Sequence, residues 1–205
     1  MELGLEDKIR KYLVSKYQCH SVIVYGSYAN GDYSEDSDID LLCFTDVPTH
    51  SNDINILQEK QLDAWIYPTE KIRDITDFLR IQNGYSILDE RGLCANFLNQ
   101  IQELYQQGPE PLQDTQKEFL REWLNKMLKR SERGDIEGNF RFHWLLVDSL
   151  EIYCNLHDIW YFGPKRTLKW MSAHDTNSYR LFEKAIHPNA DLYDVTAWIA
   201  YITQE

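Results

Sequence analysis

An α/β (α+β) N-terminal domain built on a mixed sheet, followed by an all-α C-terminal helical bundle, is the architecture predicted for this 205-residue chain. Three observations carry that expectation. Strand-type apolar runs occur only before Gly92. The run Gly108-Pro109-Glu110-Pro111 places a glycine and two prolines within four residues, a strong break in regular structure. Beyond it, apolar residues recur at helical spacing almost to the last residue. The two domains are accordingly set at 1–108 and 112–205.

From about Glu6 to Tyr17, the positions of Ile9, Tyr12, Leu13 and Val14 predict a first amphipathic helix. Strands follow at Val22–Tyr25, Asp38–Phe44 and Gln61–Tyr67. Ile54-Asn55-Ile56-Leu57 and the polar Gln58-Glu59-Lys60 read as the hairpin partner of the last of these and its turn. On that strand Leu62, Ala64 and Ile66 form an apolar face, leaving Asp63, Trp65 and Tyr67 on the other. Thr69 reads as the N-cap of a helix that turns Ile72, Ile75, Phe78 and Leu79 inward. Ser86-Ile87-Leu88 is a short strand closed by the turn Asp89-Glu90-Arg91-Gly92, and a helix from Leu93 to about Gln107 completes the domain. In the bundle, one stripe is Phe119, Leu120, Trp123, Leu124, Met127 and Leu128. A second runs through Phe140, Trp144, Val147, Leu150 and Tyr153 to Ile159. Shorter helices are expected at Lys165–Met171, Tyr179–Ile186 and Leu192–Ile202, an antiparallel bundle without internal repeats.

The chemistry concentrates between Tyr25 and Leu41. The apolar run Ser21–Tyr25 enters Gly26-Ser27, and Asp38-Ile39-Asp40 opens the next apolar run. Carboxylates at i and i+2 of a strand project from one face and repel each other unless a cation lies between them. Mg²⁺ is the natural occupant, since it is bound through one or two carboxylates together with substrate phosphates. Gly26 lets a phosphate approach without a Cβ in the way, and Ser27 adds a hydroxyl donor. Asp63, an acid on a strand otherwise made for burial, is the third candidate carboxylate.

Gly26-Ser27 followed by Ser37-Asp38-Ile39-Asp40 resembles the signature of the nucleotidyltransferase superfamily typified by DNA polymerase beta. Within it, the small bacterial members such as kanamycin nucleotidyltransferase and streptomycin adenylyltransferase look most similar. The resemblance implies that Asp38, Asp40 and Asp63 are catalytic and hold two Mg²⁺ ions. It implies ATP or another NTP as co-substrate, with a nucleoside monophosphate passing to a hydroxyl of an aminoglycoside-like acceptor in the cleft between the domains. An antibiotic-resistance role belongs to the same expectation. In Pro164-Lys165-Arg166 two adjacent cations stand at the start of a helix, where positive charge is not locally favoured. A bound triphosphate would explain them, and related enzymes carry a phosphate-reaching lysine in the helical domain, so Lys165 and Arg166 join Gly26 and Ser27 as nucleotide-binding candidates. Some antibiotic-modifying relatives draw their base from a glutamate of that domain; Glu137 and Glu151 are available here, but neither stands in a motif.

A net charge of −12 from 21 basic and 33 acidic residues argues against a long nucleic-acid partner, which needs a basic surface. An acidic protein suits a cationic small molecule instead. No run is long enough to span a membrane, and the first residues lack a basic and apolar leader pattern. Cys19, Cys43, Cys94 and Cys154 are scattered and read as buried free thiols of a reducing cytoplasm. His143, His157 and His174 are too far apart for a local ligand motif and read as structural. A monomer or homodimer is expected. Two alternatives compete with small-molecule transfer: an antitoxin-type enzyme that modifies protein by AMPylation, and a nucleotide-binding module without transfer. A ribonuclease reading of Arg180 and His187 is discounted, because such a spacing arises by chance in a chain with six histidines.

Overall fold

The computed structural model describes residues 3–204, except for the side chain of Leu3. The chain divides into two compact units, one ending at Gln107 and the other beginning at Gly108. The first holds α1 (Leu3–Tyr17), β1 (Ser21–Tyr25), α2 (Gly26–Asn30), β2 (Ile39–Thr45), β3 (Ser51–Leu57), β4 (Lys60–Pro68), β5 (Tyr85–Asp89) and α3 (Cys94–Gln107). The sheet order is β3-β4-β2-β1-β5, with β2 and β4 parallel and every other pair antiparallel. The mixed sheet expected from the sequence is therefore present.

Strand alternation divides the side chains between two cores. Val22, Val24, Ile39, Leu41, Leu62, Ala64 and Ile66 face one way and bury Ile9 and Leu13 of α1. Ile23, Leu42 and Phe44 face the other way, under Phe97 and Ile101 of α3. On that side the rings of Phe44, Phe78 and Phe97 meet edge to face at 5.4–6.0 Å, the arrangement favoured by the aromatic quadrupole. Val14, expected on the inner face of α1, is instead 38% exposed.

The segment after β4 corrects the sequence reading. It forms two 3₁₀ turns, Thr69–Arg73 and Ile75–Ile81, rather than an α-helix. Ile72, Ile75, Phe78 and Ile81 recur every three residues, the spacing that lines up on one edge of a 3₁₀ helix. Thr69 is not a cap. Its hydroxyl lies 2.7 Å from Asp46 Oδ1, 3.0 Å from the Thr45 carbonyl and 2.8 Å from His20 Nε2, at the end of the sheet remote from Asp40. α3 begins at Cys94, where the Asp89 carboxylate accepts the amides of Leu93 and Cys94 at 2.9 and 3.1 Å.

Asp53 fastens α1 to β3. The carboxylate is 8% exposed and accepts from Tyr12 Oη at 2.7 Å and Lys16 Nζ at 3.1 Å. Burial works against its charge, yet the hydrogen bonds from Tyr12, Lys16 and Tyr17 outweigh it and hold the carboxyl below its ordinary range. A carboxyl with a lowered folded pKa stabilises fully above its unfolded value near 3.9 and loses that contribution as pH falls through the lower folded value. Urea midpoints should therefore fall between pH 5 and pH 3, and by less in Asp53→Asn than in the native chain. An equal fall in both proteins would assign the acid sensitivity elsewhere.

The second unit contains α4 (Asp114–Ser131), α5 (Ile136–Leu156), α6 (Pro164–His174), α7 (Thr176–Ala185) and α8 (Leu192–Gln204) around one core. Asp175 ties three of them together: its carboxylate accepts from Tyr153 Oη and Ser178 Oγ, each at 2.6 Å. The stripe assigned to α5 is partly on the wrong face. Leu145, Leu146, Ile152 and Cys154 are buried with Leu150 and Tyr153, whereas Phe140 and Val147 are 63% and 67% exposed and Trp144 is at the surface. α5 carries apolar residues on more than one face, so periodicity alone could not select its buried side. Phe119 on α4 is likewise 64% exposed. All four cysteines are buried and unpaired. Among the described residues no helix is long and apolar enough to cross a membrane.

Candidate active site

β1 runs directly into the five-residue helix α2, whose first residues are Gly26 and Ser27. Gly26 has φ +68°, a conformation that side chains rarely adopt. It also lies against Asp40: a Cβ there would intrude on the carboxylate and sit 2.9 Å from Asp40 Cγ. The glycine therefore makes room for the acid as well as allowing the turn. Gly26→Ala should cost about 1–3 kcal/mol in stability and displace Asp40, so denaturant unfolding and activity should both respond; an unchanged midpoint would contradict the steric argument.

The parallel register of β2 and β4 sets Asp40 directly beside Asp63, and Tyr25 of β1 is paired with Asp40 on its other side. A row Tyr25–Asp40–Asp63 thus crosses three strands at the end of the sheet where β1 turns into α2. All three side chains are half-buried. Burial pushes the Tyr25 phenol well above its ordinary pKa, the charges of Asp40 and Asp63 push it further, and Arg80 opposes them. Tyr25 consequently stays protonated at neutral pH and is a donor beside two acids. Asp63 accepts from Asn52 Nδ2 of β3 at 2.5 Å, which orients its carboxylate.

The structure brings together Gly26, Ser27, Asp40 and Asp63 of the residues proposed from sequence. Asp38 is exposed and stands one residue ahead of β2, which begins at Ile39, while Asp40 is set abreast of Asp63 by the parallel register. Among the described residues no three His, Cys, Asp or Glu side chains gather into a ready-made metal cage. Lys165 and Arg166 belong to the second unit, in the first turn of α6 behind Gly163 and Pro164. Lys165 is exposed, and the Arg166 guanidinium carbon lies 5.7 Å from the Phe162 ring centroid. Glu137 pairs with Arg133 and Arg141 at 2.9 and 3.2 Å, and Glu151 is an exposed residue of α5. Two contributors are not visible in the sequence pattern: Tyr25 reads only as a strand end, and Asn52 lies outside the predicted hairpin strand, although its spacing of two from Ile54 marks the same face.

Residues 6–102, from α1 into α3, match the family model described as nucleotidyltransferase domain. No curated protein matches the chain. One similar solved structure is a nucleotidyltransferase-like protein from Exiguobacterium sibiricum, 12% identical, with a TM-score of 0.48 over 98% of this chain and 74% of that one. The stretch that builds the sheet, the Gly26-Ser27 turn and the Asp40–Asp63 pair is thus the stretch similar to a nucleotidyltransferase domain.

Proposed function

We propose that the protein transfers a nucleoside monophosphate, AMP from ATP as the first candidate, to a hydroxyl group of a small molecule. The observation that carries this reading is the Asp40–Asp63 pair, set abreast beside the turn through Gly26 and Ser27. Two acids set abreast suit a hard cation whose remaining ligands are phosphate oxygens, and Mg²⁺ has that preference. Asp40 and Asp63 would hold it, with Asp38 joining from the loop ahead of β2. Magnesium, when bound, supplies charge neutralisation to the triphosphate and acidifies a nearby hydroxyl.

The remaining work falls to the chain itself. Gly26 and Ser27 receive phosphate oxygens through a backbone amide and a hydroxyl. Tyr25, kept protonated, donates at the same row. Asp63, oriented by Asn52, takes the proton of the acceptor hydroxyl as its oxygen attacks the α-phosphorus and pyrophosphate leaves. Lys165 and Arg166 are the proposed phosphate cations of the second unit. Catalysis is then mainly positioning and electrostatic stabilisation. The small antibiotic-modifying enzymes remain the proposed branch on the strength of the Gly26-Ser27 and Ser37–Asp40 motifs.

The test incubates the protein with Mg²⁺, each labelled NTP and a panel of hydroxylated small molecules, and measures pyrophosphate release. Release that requires an acceptor and is lost in Asp40→Asn is the expected result. Absence of release with every nucleotide and acceptor would sink the proposal, and label found on protein instead would turn it towards AMPylation.

A further inference from the structure

The face of the sheet that carries Asp40 and Asp63 is covered unequally. Over β1 and β2, Ile23, Leu42 and Phe44 are sealed by α3 and the 3₁₀ turns. Over β3 and β4 the same face stays open. Ile54, the register partner of Asp63, is 64% exposed; Ile56 is 67% exposed, and Trp65, two residues along from Asp63, is 36% exposed. His50 extends this surface, stacked on Tyr67 at 4.6 Å and tilted towards Trp65 at 6.0 Å. Asn52 is paired with Trp65 in register and bonded to Asp63. The result is an apolar and aromatic shelf continuous with the acidic pair.

Its charge is as informative as its exposure. On β3 and β4 the side chains turned to this face are Asn52, Ile54, Ile56, Gln61, Asp63, Trp65 and Tyr67, of which Asp63 is the single acid and none is a lysine or arginine. A polyphosphate would need cations there. A polycation would need an array of carboxylates, and the chain's net charge of −12 is not placed on these positions. What the shelf can recognise is a flat or apolar ring, through burial and stacking, with hydrogen bonds at one margin.

Resting on the transfer reading above, we propose that this shelf is the acceptor site and that the acceptor is an uncharged, ring-bearing alcohol. Its ring lies against Trp65 and Ile54, and its hydroxyl points to Asp63. Trp65 is then a specificity-determining residue rather than a catalytic one, and the acceptor differs in charge from the cationic antibiotics that net charge suggested.

Binding without turnover tests the proposal separately from catalysis. Saturation-transfer NMR and calorimetry on the full chain would use a panel of phenolic glycosides and hydroxylated aromatics as neutral probes, with kanamycin as the polycation. At least one neutral probe should bind and shift the indole resonance assigned through Trp65→Phe. Trp65→Ala and the exposed-edge variant Ile54→Lys should each weaken that probe by roughly tenfold or more, with the affinity for a non-hydrolysable ATP analogue unchanged. Binding of kanamycin alone, binding of no neutral probe, or binding as tight to both variants as to the native protein would overturn the assignment. A dimer seen by light scattering that Ile54→Lys dissociates would also overturn it, since the shelf would then be a contact between copies. Loss of transfer chemistry with neutral-probe binding intact would count against the reaction and not against the shelf.

Discussion

Asp40→Asn is expected to reduce nucleotidyl transfer by roughly 10³-fold, about 4 kcal/mol of transition-state stabilisation. Asp40 and Asp63 are register partners on adjacent strands, so a divalent cation held by one lies within reach of the other, and an amide in place of Asp40 removes a charged ligand. Magnesium should raise the midpoint of the native protein, because a ligand that binds only the folded state stabilises it, and should do so less in the variant. An unchanged response to magnesium in Asp40→Asn would identify Asp40 as a structural acid.

Trp198→Ala is expected to have the largest effect on the second unit, about 3–5 kcal/mol of stability. Trp198 is fully buried, and its ring lies 5.6 Å from that of Tyr153 and 5.3 Å from that of Phe182. Its Nε1 donates to Ser149 Oγ at 2.8 Å, so α8, α5 and α7 meet on one side chain. Truncation leaves a cavity that helices fixed on every side can close only in part. The Ser149 hydroxyl still donates to the Leu146 carbonyl at 2.9 Å, so lost packing dominates over an orphaned polar group. The midpoint should drop by at least about 10 °C. Trp198→Phe keeps most of the volume and should lose much less; similar losses in the two variants would move the weight to the hydrogen bond.

Several structural features were legible because local chemistry settles them. Gly26, Pro164 and the Gly108–Pro111 run each sit where backbone geometry leaves few alternatives, and the structure turns, starts a helix and divides at those places. The alternation of Leu62, Ala64 and Ile66 with Asp63, Trp65 and Tyr67 sorted both faces of β4 correctly. Three features were misread for identifiable reasons. Ile72, Ile75, Phe78 and Leu79 suit an α-helix, but Ile72, Ile75, Phe78 and Ile81 repeat every three residues, and the chain forms 3₁₀ turns there. α5 has more apolar residues than one face can hold, so the buried side depended on where α4 and α8 pack. The hydroxyl of Thr69 suited a cap, and tertiary partners took it instead.

The sequence by itself determined the fold class, a mixed sheet with helices in the first part of the chain and helices alone after it. It did so because turn chemistry and side-chain periodicity are properties of neighbouring residues. Only the tertiary structure decided that Asp40 finds its partner in Asp63 across a parallel pair, that Asn52 holds that partner, and that Trp65 and Ile54 stand open beside it. Those relations depend on strand register and on which half of a sheet face is covered. Both are set by pairing between segments distant in the chain, where one residue of slip would send every side chain to the opposite face.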